Sequence, residues 1–84
     1  NAIGCRVEVE KMIATGRIDM VVETSTFIYV LELKLSNNGG VDAAAEQIKA
    51  KQYAEPFKAD KRKVIALAVE LDDLGKGLVD WKEV

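Results

Sequence analysis

Along the first third of the chain, apolar and polar residues alternate with a period of two, so successive side chains face opposite sides of a strand. "CRVEVEKMI" sends Cys5, Val7 and Val9 one way and Arg6, Glu8 and Glu10 the other, the pattern of a half-solvated strand. "ATGR" supplies a glycine turn, "IDMVVET" reads as a second strand, and after "TST" a third runs from Phe27 to Leu35. "SNNGG" is the strongest break in the chain. From Asp42 the period changes, and "DAAAEQIKAKQYA" is predicted to be a helix. Asp42 is its expected N-cap, and Ala44, Ala45, Ile48 and Gln52 form the inner stripe. Pro56 restricts Glu55 and ends or kinks the helix there. After the polar turn "ADKRK", "VIALAVEL" is apolar on both faces, as strands covered on both sides are. "DDLGKG" is a loop, and "LVDWKEV" adds a short edge strand.

The order strand, strand, strand, helix, strand implies an α/β domain with a mixed sheet. Short turns make the first three strands an antiparallel meander. The helix is long enough for a right-handed crossover to a parallel fourth strand.

A two-residue turn at Ser25 and Thr26 fixes the register of the central hairpin. Val21 then faces Val30, Glu23 faces Ile28, Asp19 faces Glu32 and Arg17 faces Lys34. The other hairpin face carries Ile18, Met20, Val22, Phe27, Tyr29, Leu31, Leu33 and Leu35, and its apolarity demands a covering helix. Two carboxylates opposite one another across strands repel. Spacing alone leaves two solutions open. Arg17 and Lys34 could neutralise the pair as a surface charge cluster, the commoner outcome on a sheet face. Alternatively, a divalent cation could sit between Asp19 and Glu32, with the Lys34 amine beside it.

Composition narrows the field. The 84 residues amount to one small domain, 49% hydrophobic and 31% charged, too apolar for a disordered chain. A net charge of −2 gives no global attraction to nucleic acid. With no His, Ser–His and Cys–His catalysis and His-ligated zinc are excluded within the chain. The single Cys5 excludes an internal disulfide and fits a reducing, cytoplasmic compartment. No apolar run reaches membrane-spanning length, and no membrane association is expected. The opening "NA" reads as the scar of a cleaved tag at residues 1–2.

The runs "GRIDMVVE", "YVLELKL", "AAEQIKAKQYAEPFKADKRKVIALAVEL" and "DWKEV" together resemble the PD-(D/E)XK nuclease superfamily. Within it, the likeness is to the nuclease-like C-terminal domain of bacterial proteins that begin with an AAA-ATPase-like domain. The resemblance runs from about Gly16 to the end and implies a restriction-endonuclease-like fold. Such a core normally starts with a helix. None precedes the first strand, so residues 1–84 are expected to be a single partial domain.

By the same resemblance, Asp19 and Glu32 match the acidic metal ligands, and the Leu33 carbonyl joins the metal shell. Lys34 matches the motif lysine, which orients or deprotonates the attacking water. Gln47 matches the polar residue on the following helix. Lys51 is a lesser candidate for phosphate contact, and Tyr53 is expected to pack rather than to act. Ile18 stands where the family name has Pro, and Glu8 and Glu10 are not promoted to ligands. Lys58, Lys61, Arg62 and Lys63 form the best basic cluster, more a solvated turn than a DNA contact.

The implied function is Mg²⁺- or Mn²⁺-dependent hydrolysis of nucleic acid, DNA first. The implied partner is an ATPase-like domain in the same parent chain. The alternative is an inactive nuclease-like module used for binding or as an ATPase accessory. An uncovered apolar face and exposed edges further predict a homodimer, with exchange of elements as one route.

Overall fold

The computed structural model describes residues 4–84; the tag-scar expectation at residues 1–2 lies outside them. Five strands form one sheet in the order β1-β2-β3-β4-β5: β1 Arg6–Ile13, β2 Gly16–Glu23, β3 Phe27–Leu35, β4 Lys63–Leu71 and β5 Leu78–Glu83. The first three are antiparallel, β4 is parallel to β3, and β5 returns antiparallel to β4. Helix α1, Gly40–Lys51, makes the β3–β4 crossover, flanked by one-turn 3-10 segments at Ser36–Asn38 and Glu55–Phe57. The mixed α/β fold expected from the sequence is present. Among the described residues α1 is the one α-helix.

The β2–β3 turn forms as expected. The Thr24 N–H donates to the Phe27 carbonyl (2.9 Å), and the Thr24 hydroxyl accepts from the Phe27 N–H (2.9 Å). From there the ladder pairs Glu23 with Ile28, Val22 with Tyr29, Val21 with Val30 and Met20 with Leu31. Beyond Met20 the pairing stops.

Three expectations about the helix need correction. It covers the face bearing Val21, Ile28, Val30 and Glu32, not the leucine-rich one. The cause is size. Ala44, Ala45 and Ile48 of α1 meet Ala66 and Ala68 of β4, and small side chains on both surfaces let the backbones approach closely. Met20, Val22, Leu31, Leu33, Leu67 and Val69 on the other face stay only half-buried, so β4 is not enclosed on both sides. Val7, Val9 and Trp81, on that same face, are more than half exposed.

Asp42 is not the N-cap but lies in the first turn. The cap comes from another element: the β4 carboxylate of Glu70 accepts the Val41 N–H (2.9 Å) and the Ser36 hydroxyl. These bonds hold its pKa below the usual carboxylate value. Gly40 lies beneath that carboxylate at φ +61°, and a Cβ there would overlap it. Gln52 is exposed and left-handed at the C-cap (φ 53°), outside the inner stripe.

Arg62 ties the segment before β4 to the β2–β3 turn. Its guanidinium meets Asp60 (2.8 Å), Glu23 (2.9 Å) and the Thr24 carbonyl (3.1 Å). The fork geometry suits this multiple grip. Lys58 is paired with Glu55 at 3.2 Å. Two members of the basic cluster are therefore committed to internal contacts.

Candidate active site

One residue past the last ladder pair, the Asp19 side chain enters the space between β2 and β3. Its Oδ2 accepts the Leu33 N–H at 2.9 Å, in the place of a strand carbonyl. The expected direct pairing of Asp19 with Glu32, and of Arg17 with Lys34, is accordingly not formed. A carboxylate offers a backbone donor the same acceptor chemistry as a carbonyl, so the strands part without leaving Leu33 N–H unpaired. Arg17 turns away to pair with Glu10 (3.0 Å), a residue at φ 54° where the β1–β2 pairing skips a position.

Glu32 lies under α1 and is 2% exposed. A buried carboxylate needs partners. Its Oε1 meets the Tyr53 hydroxyl at 2.8 Å and its Oε2 stands 3.7 Å from Lys34 Nζ. Burial pushes the Glu32 pKa above its ordinary 4.5. The Tyr53 hydrogen bond opposes this, the Asp19 charge and a hydrogen bond shared with Asp19 add to it, and Lys34 opposes it. The two acids are therefore close enough to interact although their backbones do not pair.

Tyr53 was expected to pack, and it does, being fully buried. Its hydroxyl, however, is a junction. It contacts Glu32 Oε1 (2.8 Å) and the Arg17 carbonyl (2.8 Å), and Gln47 Nε2 donates to it (3.0 Å). A phenol has one hydrogen and two acceptor sites. When Glu32 is ionised, the hydrogen can serve the carboxylate or the carbonyl, not both. When Glu32 holds a proton, it donates to Tyr53, Tyr53 donates to Arg17, and all three contacts are met. Burial, with the Glu32 charge beside it, pushes the Tyr53 pKa up to about 12, so the phenol keeps its hydrogen. A tyrosine placed just after an amphipathic helix, facing a strand with an isolated buried acid, was the available signal, because a buried phenol seeks a partner.

Arg17, Asp19, Glu32, Lys34, Gln47 and Lys51 line one open cavity of about 580 Å³. Leu33 lines it too, with Asn38 and Met12 at its border. The structure thus brings every predicted site residue to one place. Against the chain's net charge of −2, these six residues set three cations beside two carboxylates. The basic cluster around Arg62 lies at the turn end of β2–β3, five residues or roughly 17 Å of strand away from Asp19. Among the described residues no three or more acidic or Cys side chains gather as a metal cluster, so any cation here depends on two carboxylates and neighbouring carbonyl oxygen. Hard oxygen donors of that kind suit Mg²⁺ or Mn²⁺. No helix among the described residues is long and apolar enough to cross a membrane.

An acid lies between parting strands, a second acid stands two residues before a lysine, and a helix amide lies above them. The family profile described as the PD-(D/E)XK nuclease superfamily matches residues 2–81, and the chain belongs to that superfamily. Nuclease chemistry with a divalent metal is general there. A protein of Azotobacter chroococcum mcd 1, described as an uncharacterised protein in the vnfD 5′ region, is 31% identical over 80 residues. That alignment covers 95% of this chain and 16% of the relative, so the chain spans about a sixth of that protein's length. No solved structure matches.

Proposed function

We propose that the chain is the catalytic module of a metal-dependent DNA nuclease. The observation that carries this is the shared cavity in which Asp19, Glu32, Lys34 and Gln47 converge. Asp19, Glu32 and the Leu33 carbonyl would hold Mg²⁺ or Mn²⁺. Such an ion, when bound, polarises a phosphoryl oxygen and lowers the pKa of the attacking water. Lys34, 3.7 Å from Glu32, would orient that water through its ammonium N–H groups and offset charge developing on the phosphate, or, as the neutral amine, take the water's proton. Gln47 gives one N–H to Tyr53 and keeps a second N–H and its oxygen for the water or a phosphate oxygen. Tyr53 fixes the carboxylate that all of this surrounds.

Assembly is part of the same proposal. The half-bare apolar sheet face suits a second copy of this chain, and sedimentation showing only monomer at high concentration would remove the homodimer. Placement beside an ATPase-like domain rests on the family resemblance, and the relative's much greater length accords with it.

The test is cleavage of DNA and RNA with Mg²⁺, Mn²⁺ or EDTA. Metal-dependent DNA cleavage is expected, reduced about 100-fold or more by Lys34→Ala in a chain that circular dichroism shows to be still folded. A folded chain that cuts nothing in millimolar metal, and whose Asp19 and Glu32 NMR signals ignore the ion, overturns the proposal. DNA bound but not cut would instead identify an inactive binding or accessory module.

A further inference from the structure

Three cations border the cavity, and they differ in their commitments. Lys34 sits against Glu32 and Arg17 against Glu10. Lys51 has no acidic partner among the described residues, although it lines the same cavity. Nor does it swing freely at its base. The Thr15 hydroxyl donates to the Lys51 carbonyl, tying the β1–β2 turn to the end of α1. The lysine side chain then runs over Gly16. A Cβ at that position would stand 3.3 Å from Lys51 Cδ and 3.7 Å from Nζ, so glycine is what gives the side chain room to lie there.

The helix sets what the ammonium can reach. Gln47 and Lys51 are four residues apart and share a face. Gln47 is engaged with Tyr53 above Glu32, whereas Lys51 is one turn, about 5.4 Å, further along. With its side chain lying over Gly16, three residues before Asp19 on β2, Lys51 faces a position beside a phosphate held between Lys34 and Gln47. A polynucleotide offers another phosphate next to it, and an isolated phosphodiester does not.

Deepening the nuclease proposal and resting on it, we infer that Lys51 binds the phosphate flanking the one being cut. Lys51 then acts as a specificity-determining residue that favours chains over single phosphodiesters. The β1–β2 turn, through Thr15 and Gly16, positions it.

The experiment compares wild type with Lys51→Met on two substrates, a fluorescent oligonucleotide and bis(p-nitrophenyl) phosphate, the latter lacking any flanking phosphate. The ratio of kcat/KM for oligonucleotide over the small diester should fall about tenfold, mainly through KM. The slope of log affinity against log salt should lose about one unit. Lys51→Arg should restore most of the ratio. Equal loss on both substrates, or an unchanged ratio, overturns the inference, the latter leaving Lys51 as a favourable charge at a helix C-terminus. Should wild type cut neither substrate, the nuclease proposal fails. Oligonucleotide binding in Ca²⁺, read by fluorescence anisotropy, then decides Lys51 separately, since an unchanged or absent affinity rejects it.

Discussion

From Met20–Leu31 to Glu23–Ile28, β2 and β3 are joined by a regular ladder over a closed apolar core. One residue further on, the same strands part around Asp19, and a cavity opens between them. The first half contributes Val21, Ile28 and Val30, all fully buried. The second contributes Asp19, Glu32 and Lys34. The contrast shows that the candidate site opens where a sheet is interrupted, with the intact half holding the interrupted half in position. A carboxylate is the wedge, and the wedge satisfies the backbone donor it exposes.

Breaking the joined half should have the largest effect. Ile28→Ala is expected to cost about 2–5 kcal/mol in urea unfolding, enough to threaten a domain this small. A loss under about 1 kcal/mol would mean that this half is not the support it resembles.

Tyr53→Phe sharpens the contrast from the other side. It keeps the ring that packs the core and removes only the hydroxyl joining Arg17, Glu32 and Gln47. A stability loss of about 1–3 kcal/mol is expected, because the one hydrogen shared by the Glu32 carboxylate and the Arg17 carbonyl is lost, and the Gln47 N–H loses its acceptor. The midpoint for Mn²⁺ binding, followed by electron paramagnetic resonance, should move upward. An unchanged midpoint would make Tyr53 a core residue only.

The smallest expected effect concerns pH. In the folded, metal-free chain the Glu32 pKa lies above 4.5, its ordinary value. Between those two values the native state retains a proton that the unfolded state has released. The Glu32 contribution is thus complete below the ordinary value and declines as pH rises through the folded one. Urea unfolding in EDTA from about pH 4 to about pH 8 should show this decline relative to Glu32→Gln, which has no proton to lose there. Bound metal should counter it, since ligation favours the ionised carboxylate. Parallel stability curves for the two proteins would contradict a Glu32 pKa raised by burial.

Much of this was legible in the sequence. Period-two runs located the strands, the Ser25–Thr26 turn fixed the register as far as Met20–Leu31, and the family likeness pointed to the acids and the lysine. The parting at Asp19 was not, because extending a register assumes that every ladder position is filled by backbone. The covered face was misjudged for a related reason. Hydrophobicity favoured the leucine-rich side, whereas contact distance decided the matter, and "DAAAEQ" facing "ALAV" was the relevant pairing. Capping of α1 by Glu70 escaped notice because its partner lies 29 residues away. Tyr53 was discounted because an aromatic near a helix end is ordinarily just packing.

Trp81 sits on the half-bare side of the sheet beside Val69 and is 57% exposed. It is also the only tryptophan in the chain. Its indole therefore works as a built-in optical gauge: whatever shields that surface from water will shift the emission toward the blue, with no label added.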